Sequence, residues 1–334
     1  MKNRLFYAMT MAMVLLVAGI NKAAAQTQVA TLQHNGEISV FYGATALSEA
    51  HEAAQDGDVI TLSSGAFTMD TITKAITIHG AGLMTDTISG TAPTIINSDI
   101  AANVVSGTQP MTIEGILFAK AFSVKNLSNP RLIKCYFNSF TTGDYTQLMA
   151  QSQFVNCRFR SVSIGQAVNS SFVNCVLWEI DYIGIGMEAY NSYIRLNVDG
   201  ENMSAFNCIF DCIRTYNPPY LGTNSTAFNC IGIRGSTSNS SPFVRAFTQD
   251  CWTYINNGEV FQNYNTEYLT QLLILKEEIA CTCIGTDGTQ VGIHGGPYPY
   301  NDHPYYMVVK HCTVGDRTTD DGHLSVDIEV VTEE

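Results

Sequence analysis

The side chains with the most chemical potential in this 334-residue chain lie between residues 160 and 214: Arg160, Trp178, Glu179, Asp181, Arg195, Asp211 and Arg214. An arginine holds a carboxylate through two parallel N–H donors. An exposed indole offers its flat face to a ring-shaped ligand. A base, with a cation to neutralise developing charge, can draw a proton from carbon. On these types Arg160, Trp178 and Arg195 are the binding candidates, and Arg195, Asp211 and Arg214 the catalytic ones. The same residues also read as interleaved surface ion pairs, each worth about 0 to 1 kcal/mol. A second group, Cys281, Cys283, His294, His303, His311 and Cys312, supplies thiol and imidazole ligands. Its spacing fits no zinc module, and no metal site is assigned to it.

The elements that must position these residues are short. Charged residues make up 14% of the chain, well below the usual share of about 25%, and Ser, Thr, Asn and Gly take their place. That mixture suits strands and turns. The formal net charge of −13 and pI near 4.9 leave no basic stripe for phosphates, and nucleic acid is excluded as a partner. Residues 1–25 read as a secretory signal peptide: Lys2 and Arg4 open it, Ala8 to Ile20 is almost wholly apolar, and Ala23-Ala24-Ala25 precedes Gln26. No later segment is long and apolar enough to span a bilayer, so no transmembrane segment is expected in the mature chain. The mature protein is expected to be secreted, at the cell surface or in the periplasm.

Residues 26–58 read as an N-terminal cap. Ala46, Leu47, Ala50, Ala53 and Ala54 recur at helical spacing, with Thr45 as N-cap and Asp56-Gly57 as the stop. Val59-Ile60-Thr61-Leu62 and Ala75-Ile76-Thr77-Ile78 follow as strands. From there a repeat takes over. Ile133-Lys134-Cys135-Tyr136-Phe137, Val155-Asn156-Cys157-Arg158-Phe159, Val173-Asn174-Cys175-Val176-Leu177, Phe206-Asn207-Cys208-Ile209-Phe210 and Phe228-Asn229-Cys230-Ile231-Gly232 share one pattern, Tyr190-Asn191-Ser192-Tyr193-Ile194 carries Ser in the Cys place, and Cys251 continues the series. Positions 135, 157, 175, 192, 208, 230 and 251 are separated by 22, 18, 17, 16, 22 and 21 residues. A period near 20 with one short apolar strand per repeat is the mark of a solenoid.

In a parallel solenoid equivalent side chains stack about 4.8 Å apart. A small apolar Cys suits an inward row. Asn tolerates the left-handed backbone of a sharp bend, and its amide can bond to the Asn above and below. Ladder neighbours point the same way, a geometry that bridges poorly, so most of the ten cysteines are expected as buried thiols. Cys208 with Cys212, and Cys281-Thr282-Cys283 with Cys312, are the places for exceptions. Three residues past each Cys-equivalent come Asn138, Arg160, Trp178, Arg195, Asp211 and Ile233, a single outward row with Trp178 exposed between two arginines.

The stretch from Ala46-Leu47-Ser48-Glu49-Ala50 through Asp56-Gly57-Asp58-Val59-Ile60-Thr61-Leu62 to Ile76-Thr77-Ile78-His79-Gly80-Ala81-Gly82 resembles the entry of pectin-lyase-like right-handed parallel β-helix proteins. The Asn-Cys coils are similar to that family's middle. Gly285-Thr286-Asp287-Gly288-Thr289-Gln290-Val291-Gly292-Ile293-His294-Gly295-Gly296 resembles the last coil of many of its secreted bacterial members. The resemblance covers about residues 42 to 296 and implies an all-β chain, with a right-handed parallel β-helix solenoid over 59–296, a short N-terminal capping helix and a C-terminal strand pair. At some 20 residues per coil this gives about 11 to 12 coils and a rod roughly 55 Å long.

The resemblance does not carry the family's catalytic signatures. The Asn-Thr-Asp, Gly-His-Gly and Arg-Ile-Lys tripeptides of polygalacturonases are absent, and the acid pair Asp320-Asp321 lies in the tail. Asp181, Asp199, Glu201 and Asp211 are the nearest analogues of a calcium-binding carboxylate cluster. Residues 297–334 form a separate segment: after Pro297-Tyr298-Pro299-Tyr300, Met307-Val308-Val309 and the alternating Leu324, Val326, Ile328 and Val330 suggest two antiparallel strands, covering the solenoid end or docking another domain. Two functions follow as expectations. One is a non-catalytic, secreted or surface-exposed β-helix that binds glycan or another cell-surface partner and needs no cofactor. The other is a polysaccharide lyase or glycoside hydrolase on acidic polysaccharide, for which calcium enters.

Overall fold

The computed structural model describes residues 28–85, 91–104, 110–142, 148–196, 202–212, 220–234, 241–264, 273–301, 307–318 and 324–332. The leader expected at 1–25, together with Asp199, Glu201, Arg214, His303 and Asp320-Asp321, falls outside the described residues.

The N-terminal end is closed by an antiparallel unit. Strand β1 (Val29–His34) pairs with β2 (Glu37–Tyr42) on one side and with β3 (Val59–Leu62) on the other. Helix α1 (Ala46–Ala53) buries Ala46, Leu47, Ala50 and His51. The Thr45 hydroxyl does not cap the backbone as expected but donates to Glu49 Oε1 at 2.7 Å. At the other end of α1, Lys74 Nζ donates to the carbonyls of His51, Glu52 and Ala54 at 2.6, 2.7 and 2.7 Å, which places a cation at the negative pole of the helix.

Beyond β3 the sheet is parallel. One column runs through β3, Thr77–His79, Thr112–Glu114, Arg131–Ile133, Gln153–Val155, the ends of Val162–Val173 and Val176–Tyr190, Met203–Phe206, Thr226–Phe228 and Phe247–Gln249, each in register with the next. A second column carries Tyr136–Thr141, Arg158–Phe159, Tyr193–Leu196, Ile209–Cys212, Ile231–Ile233 and Trp252–Tyr254. The chain is a β-solenoid with about seven regular turns, those that carry the Asn–Cys rung. This is fewer than 11 to 12. The opening circuit is wide, 35 residues separating the in-register pair Thr77 and Thr112, and among the described residues no strand after Trp252–Tyr254 joins the stack.

The expected left-handed bends are present. Asn156, Asn174, Asn191, Asn207 and Asn229 have φ of 54, 51, 46, 57 and 48°, with Lys134 and Asp250 taking the same conformation at 47 and 53°. The bend turns the following residue inward. Cys135, Cys157, Cys175, Ser192, Cys208 and Cys230 are fully buried, and all cysteines among those described with side chains are free thiols, Cys208, Cys212, Cys281 and Cys283 included. Each inward group bonds to backbone: the Cys157 thiol donates to Leu132 O at 3.1 Å, and the Ser192 hydroxyl to Phe172 O at 3.3 Å and Tyr190 O at 2.8 Å. Serine therefore replaces cysteine at one rung without an orphaned polar atom. Burial pushes the Cys135 and Cys157 thiols well above the usual range. Beside this row Phe118, Phe137 and Phe159 stack at 4.9 and 5.0 Å, and Phe154 on Phe172 at 4.4 Å, filling the interior with rings in offset and edge-to-face contact.

Residues Met307–Thr318 and Leu324–Thr332 form an antiparallel pair in a sheet of their own. Among the described residues no helix is long and apolar enough to cross a membrane.

His51 supplies a pH-dependent contribution at the N-terminal end. Its Nε2 accepts the Thr73 N–H at 3.2 Å, and burial, with the Lys74 charge second, lowers its pKa to about 4. The folded state therefore holds neutral His51, and its contribution is complete above the unfolded value near 6.5 and lost as pH falls through about 4. Urea unfolding between pH 7 and pH 4 should show a loss of about 2 to 3 kcal/mol from this residue. His51→Gln, which keeps an acceptor for Thr73, should flatten that part of the profile. Unchanged pH dependence in the variant would contradict the assignment.

Candidate binding faces

Two outward rows flank the bend-and-thiol rung in the second column, one residue and three residues past each Cys-equivalent. The three-past row is the one expected from the spacing. Parallel register sets Trp178 one coil from Arg195, and Arg195 directly opposite Asp211, which opposes Cys212's neighbour strand at Ile233. At the start of the row Arg160 Nη1 donates to Asn138 Oδ1 at 3.1 Å. The sequence thus brought Arg160, Trp178, Arg195 and Asp211 to one face.

Their surroundings differ from the expectation. Trp178 is only 4% exposed. It belongs to a second apolar cluster, outside the coils, that also contains Val176, Tyr193, Ile209, Ile231 and Ile233. Residues 257–264 and 273–300, which follow the last coil, fold back as a strap over this face. Its helices α2 (Asn257–Val260) and α3 (Glu277–Thr282), and the loops around them, contribute Val260, Phe261, Leu273, Leu275, Ile279, Val291, Ile293 and Tyr300 to the same cluster. An outward face this apolar requires a cover, and the strap removes it from water. Trp178 is therefore packing material and not an exposed platform.

The charged members are committed as well. The Arg195 guanidinium lies 4.7 Å from the Trp178 ring centroid, a cation–π contact. Asp211, 4% exposed, accepts at Oδ2 from Tyr193 OH at 2.6 Å, Asn257 Nδ2 at 3.1 Å and Tyr264 OH at 3.1 Å. Burial and the Asp211 charge raise the Tyr193 phenol well above its usual range and Tyr264 to about 12. Both tyrosines stay protonated donors, so Asp211 ties the strap to the coils. Arg158 does the same at the other end, with its guanidinium 4.7 Å over the Tyr300 ring.

The Asn row holds the strap's second edge. Its amides do not ladder to one another as expected. Asn174 Nδ2 donates to Ile293 O at 2.9 Å and Gly295 O at 2.7 Å, Asn229 Nδ2 donates to Ile284 O at 2.8 Å, and Thr286 N donates to Asn207 Oδ1 at 2.8 Å. Gly285–Gly296 is accordingly not a last coil: its glycines let backbone approach the bends. A Cβ on Gly295 would sit 1.7 Å from Gln290 O, and one on Gly296 2.9 Å from Asn191 Oδ1, at a φ of +77°. Asn257, Tyr264 and Tyr300 carry no repeat signal, and only the recurrence of Asn pointed to its partner.

The second column's face is thus covered, whereas part of the first column's is open. Two residues before each Cys-equivalent, Ile133, Val155, Val173, Tyr190, Phe206 and Phe228 stand in register and half-buried. Tyr190 and Phe206 are stacked at 5.2 Å with planes 8° apart, and Phe206 and Phe228 at 5.2 Å with planes 7° apart. In the next coil Gln249 takes this place opposite Phe228, and Phe247, two residues earlier and 64% exposed, has its ring 6.0 Å from that of Phe228. Among the described residues no group of three or more His, Cys, Asp or Glu side chains converges.

No protein-family model, curated protein or solved structure gives a significant match to this chain.

Replacing Trp178 by Ala should cost about 3 to 5 kcal/mol, the range for deleting a large buried aromatic. Exposed Arg160→Ala should stay within about 0.5 kcal/mol of wild type. Urea denaturation distinguishes the two, and a Trp178→Ala protein of unchanged stability would contradict the covered face.

Proposed function

We propose that this chain is an exported, non-catalytic, right-handed parallel β-helix of the pectin-lyase-like kind, exposed at the cell surface or in the periplasm, and that it works by adhesion to a protein partner. The observation that carries this reading is the half-buried pile of rings Tyr190, Phe206 and Phe228. An apolar stripe that stays only half-buried across six coils is the kind of surface that marks a contact site. The catalytic candidates support the same conclusion from the other side, since Arg195 is spent on Trp178 and Asp211 on three donors from the coils and the strap.

Ring orientation favours protein over glycan. Near-parallel planes at 5.2 Å leave no room for rings lying side by side, so each covers its neighbour's face and turns its edge outward. A sugar ring stacks on an aromatic face, whereas an edge, the positive part of the quadrupole, suits carbonyl oxygens and the faces of a partner's aromatic side chains.

The test is binding of the labelled, purified chain to intact cells, with Phe206→Ser/Phe228→Ser as the ridge variant and Arg160→Ala as a surface control. Binding should be lost on protease treatment of the cells, survive periodate, and fall by about tenfold or more in the ridge variant, the effect of losing a hot spot. Binding sensitive to periodate but not protease would establish the glycan reading instead, and release of unsaturated uronate by the chain would overturn the non-catalytic one.

A further inference from the structure

The inward thiol row has two unlike ends. Its rungs share contacts to carbonyls of their own and the preceding coil, Cys251 included at 3.4 Å from both Gln249 O and Ala227 O, but only the interior rungs have a coil on both sides. Cys175 Sγ, for example, lies 3.4 Å from both Phe154 O and Val173 O, and its N–H donates to Ser192 Oγ at 3.1 Å. Cys251 is the last rung. The strands that flank it, Phe247–Gln249 and Trp252–Tyr254, pair with the preceding coil on one side, and among the described residues no further strand pairs with the other. Cys251 is half-buried where the rungs from Cys135 to Cys230 are inaccessible.

Cys251 also touches the preceding cysteine of the row. The Cys230 N–H donates to Cys251 Sγ at 3.4 Å, and the Cys230 thiol lies 3.3 Å from Phe228 O. Parallel register sets the two residues opposite one another, about 4.8 Å apart, within the Cα range of roughly 4.4 to 6.8 Å that a disulfide spans. Interior neighbours meet at the same distance, and the Cys208 N–H donates to Cys230 Sγ at 3.3 Å in the same way, but coils on both sides shut them off from solvent. The end coil has a neighbour on one side only.

We propose that Cys230 and Cys251 are a redox-active dithiol pair, which closes to an inter-coil disulfide by exchange entering at Cys251. The oxidant is a small-molecule disulfide. The Cys251 thiolate attacks one of its sulfurs, forming a mixed disulfide and expelling one thiolate, which takes up a proton. The Cys230 thiol then gives up its proton and attacks Cys251 Sγ, forming the inter-coil bond and releasing the second small thiol. Two protein thiols are oxidised and one disulfide is reduced to two thiols. The hydrogen bond from Cys230 lowers the Cys251 pKa to about 7, so a large share of it is thiolate at neutral pH. Burial holds Cys230 well above the usual range, which makes the second step the slow one.

The full chain with Cys281 and Cys312 replaced by serine is incubated, folded, with oxidised glutathione, and sampled over time by peptide mapping and mass spectrometry. Ser192 occupies a rung in the native row, so serine variants of the pair are compatible with the fold. Glutathione should appear on Cys251 first, at a rate about tenfold or more above any interior rung and rising with pH through about 7, and give way to a Cys230–Cys251 linked peptide. Cys230→Ser should stop at the mixed disulfide, and Cys251→Ser should leave Cys230 unmodified. Native Cys251 that does not react, an interior rung that reacts as fast, or a mixed disulfide that never resolves with Cys230 present would each overturn the proposal.

Discussion

The structure depends on one local constraint, a backbone bend with positive φ followed at once by a small inward residue. The bend costs an ordinary L-residue about 1 to 2 kcal/mol and asparagine less. Asn therefore recurs at 156, 174, 191, 207 and 229. The inward position allows only a side chain small enough to stack on its copies at strand spacing, and Cys or Ser fills it while returning its one hydrogen to a backbone carbonyl. Every other row is placed by this rung: the phenylalanines inside, the covered face after it and the ring pile before it.

A consequence is that the molecule has two apolar cores. The first lies inside the coils. The second lies outside them, where Val176, Trp178, Tyr193, Ile209 and Ile231 would face water without the strap. The Asn side chains link the two. Their backbone conformation makes the coil, and their amides, left free by that conformation, hold Ile284, Thr286, Ile293 and Gly295 of the strap. Asp211 fastens the other edge through Asn257 and Tyr264.

The repeat made the solenoid readable because it is local: each rung shows in five residues, and the step between rungs gives the register that set Arg160, Trp178, Arg195 and Asp211 on one row. Helix α1 was legible for the same reason, from alanine spacing over eight residues. The strap was not. Its contacts join residues 119 and 121 positions apart at Asn174 and 142 apart at Arg158, and nothing in the composition of 257–300 marks it as a cover. Glycines at 292, 295 and 296 look alike whether they close a coil or let backbone approach an amide, which is why Gly285–Gly296 reads as a last coil. The same gap misplaced Trp178: an outward position in a solenoid is exposed only if nothing later in the chain returns to it.

The account stands most directly on the claim that the Asn amides hold the strap independently of making the bend. Replacing Asn174 and Asn207 together by glycine keeps a residue at home in positive φ and removes only the amides. Hydrogen exchange followed by mass spectrometry separates the two roles. The account predicts faster exchange across residues 284–296 with unchanged protection in the coils from Gln153 to Ile233. Exchange that leaves 284–296 as protected as in the parent protein, or that opens the coils to the same extent, would contradict it.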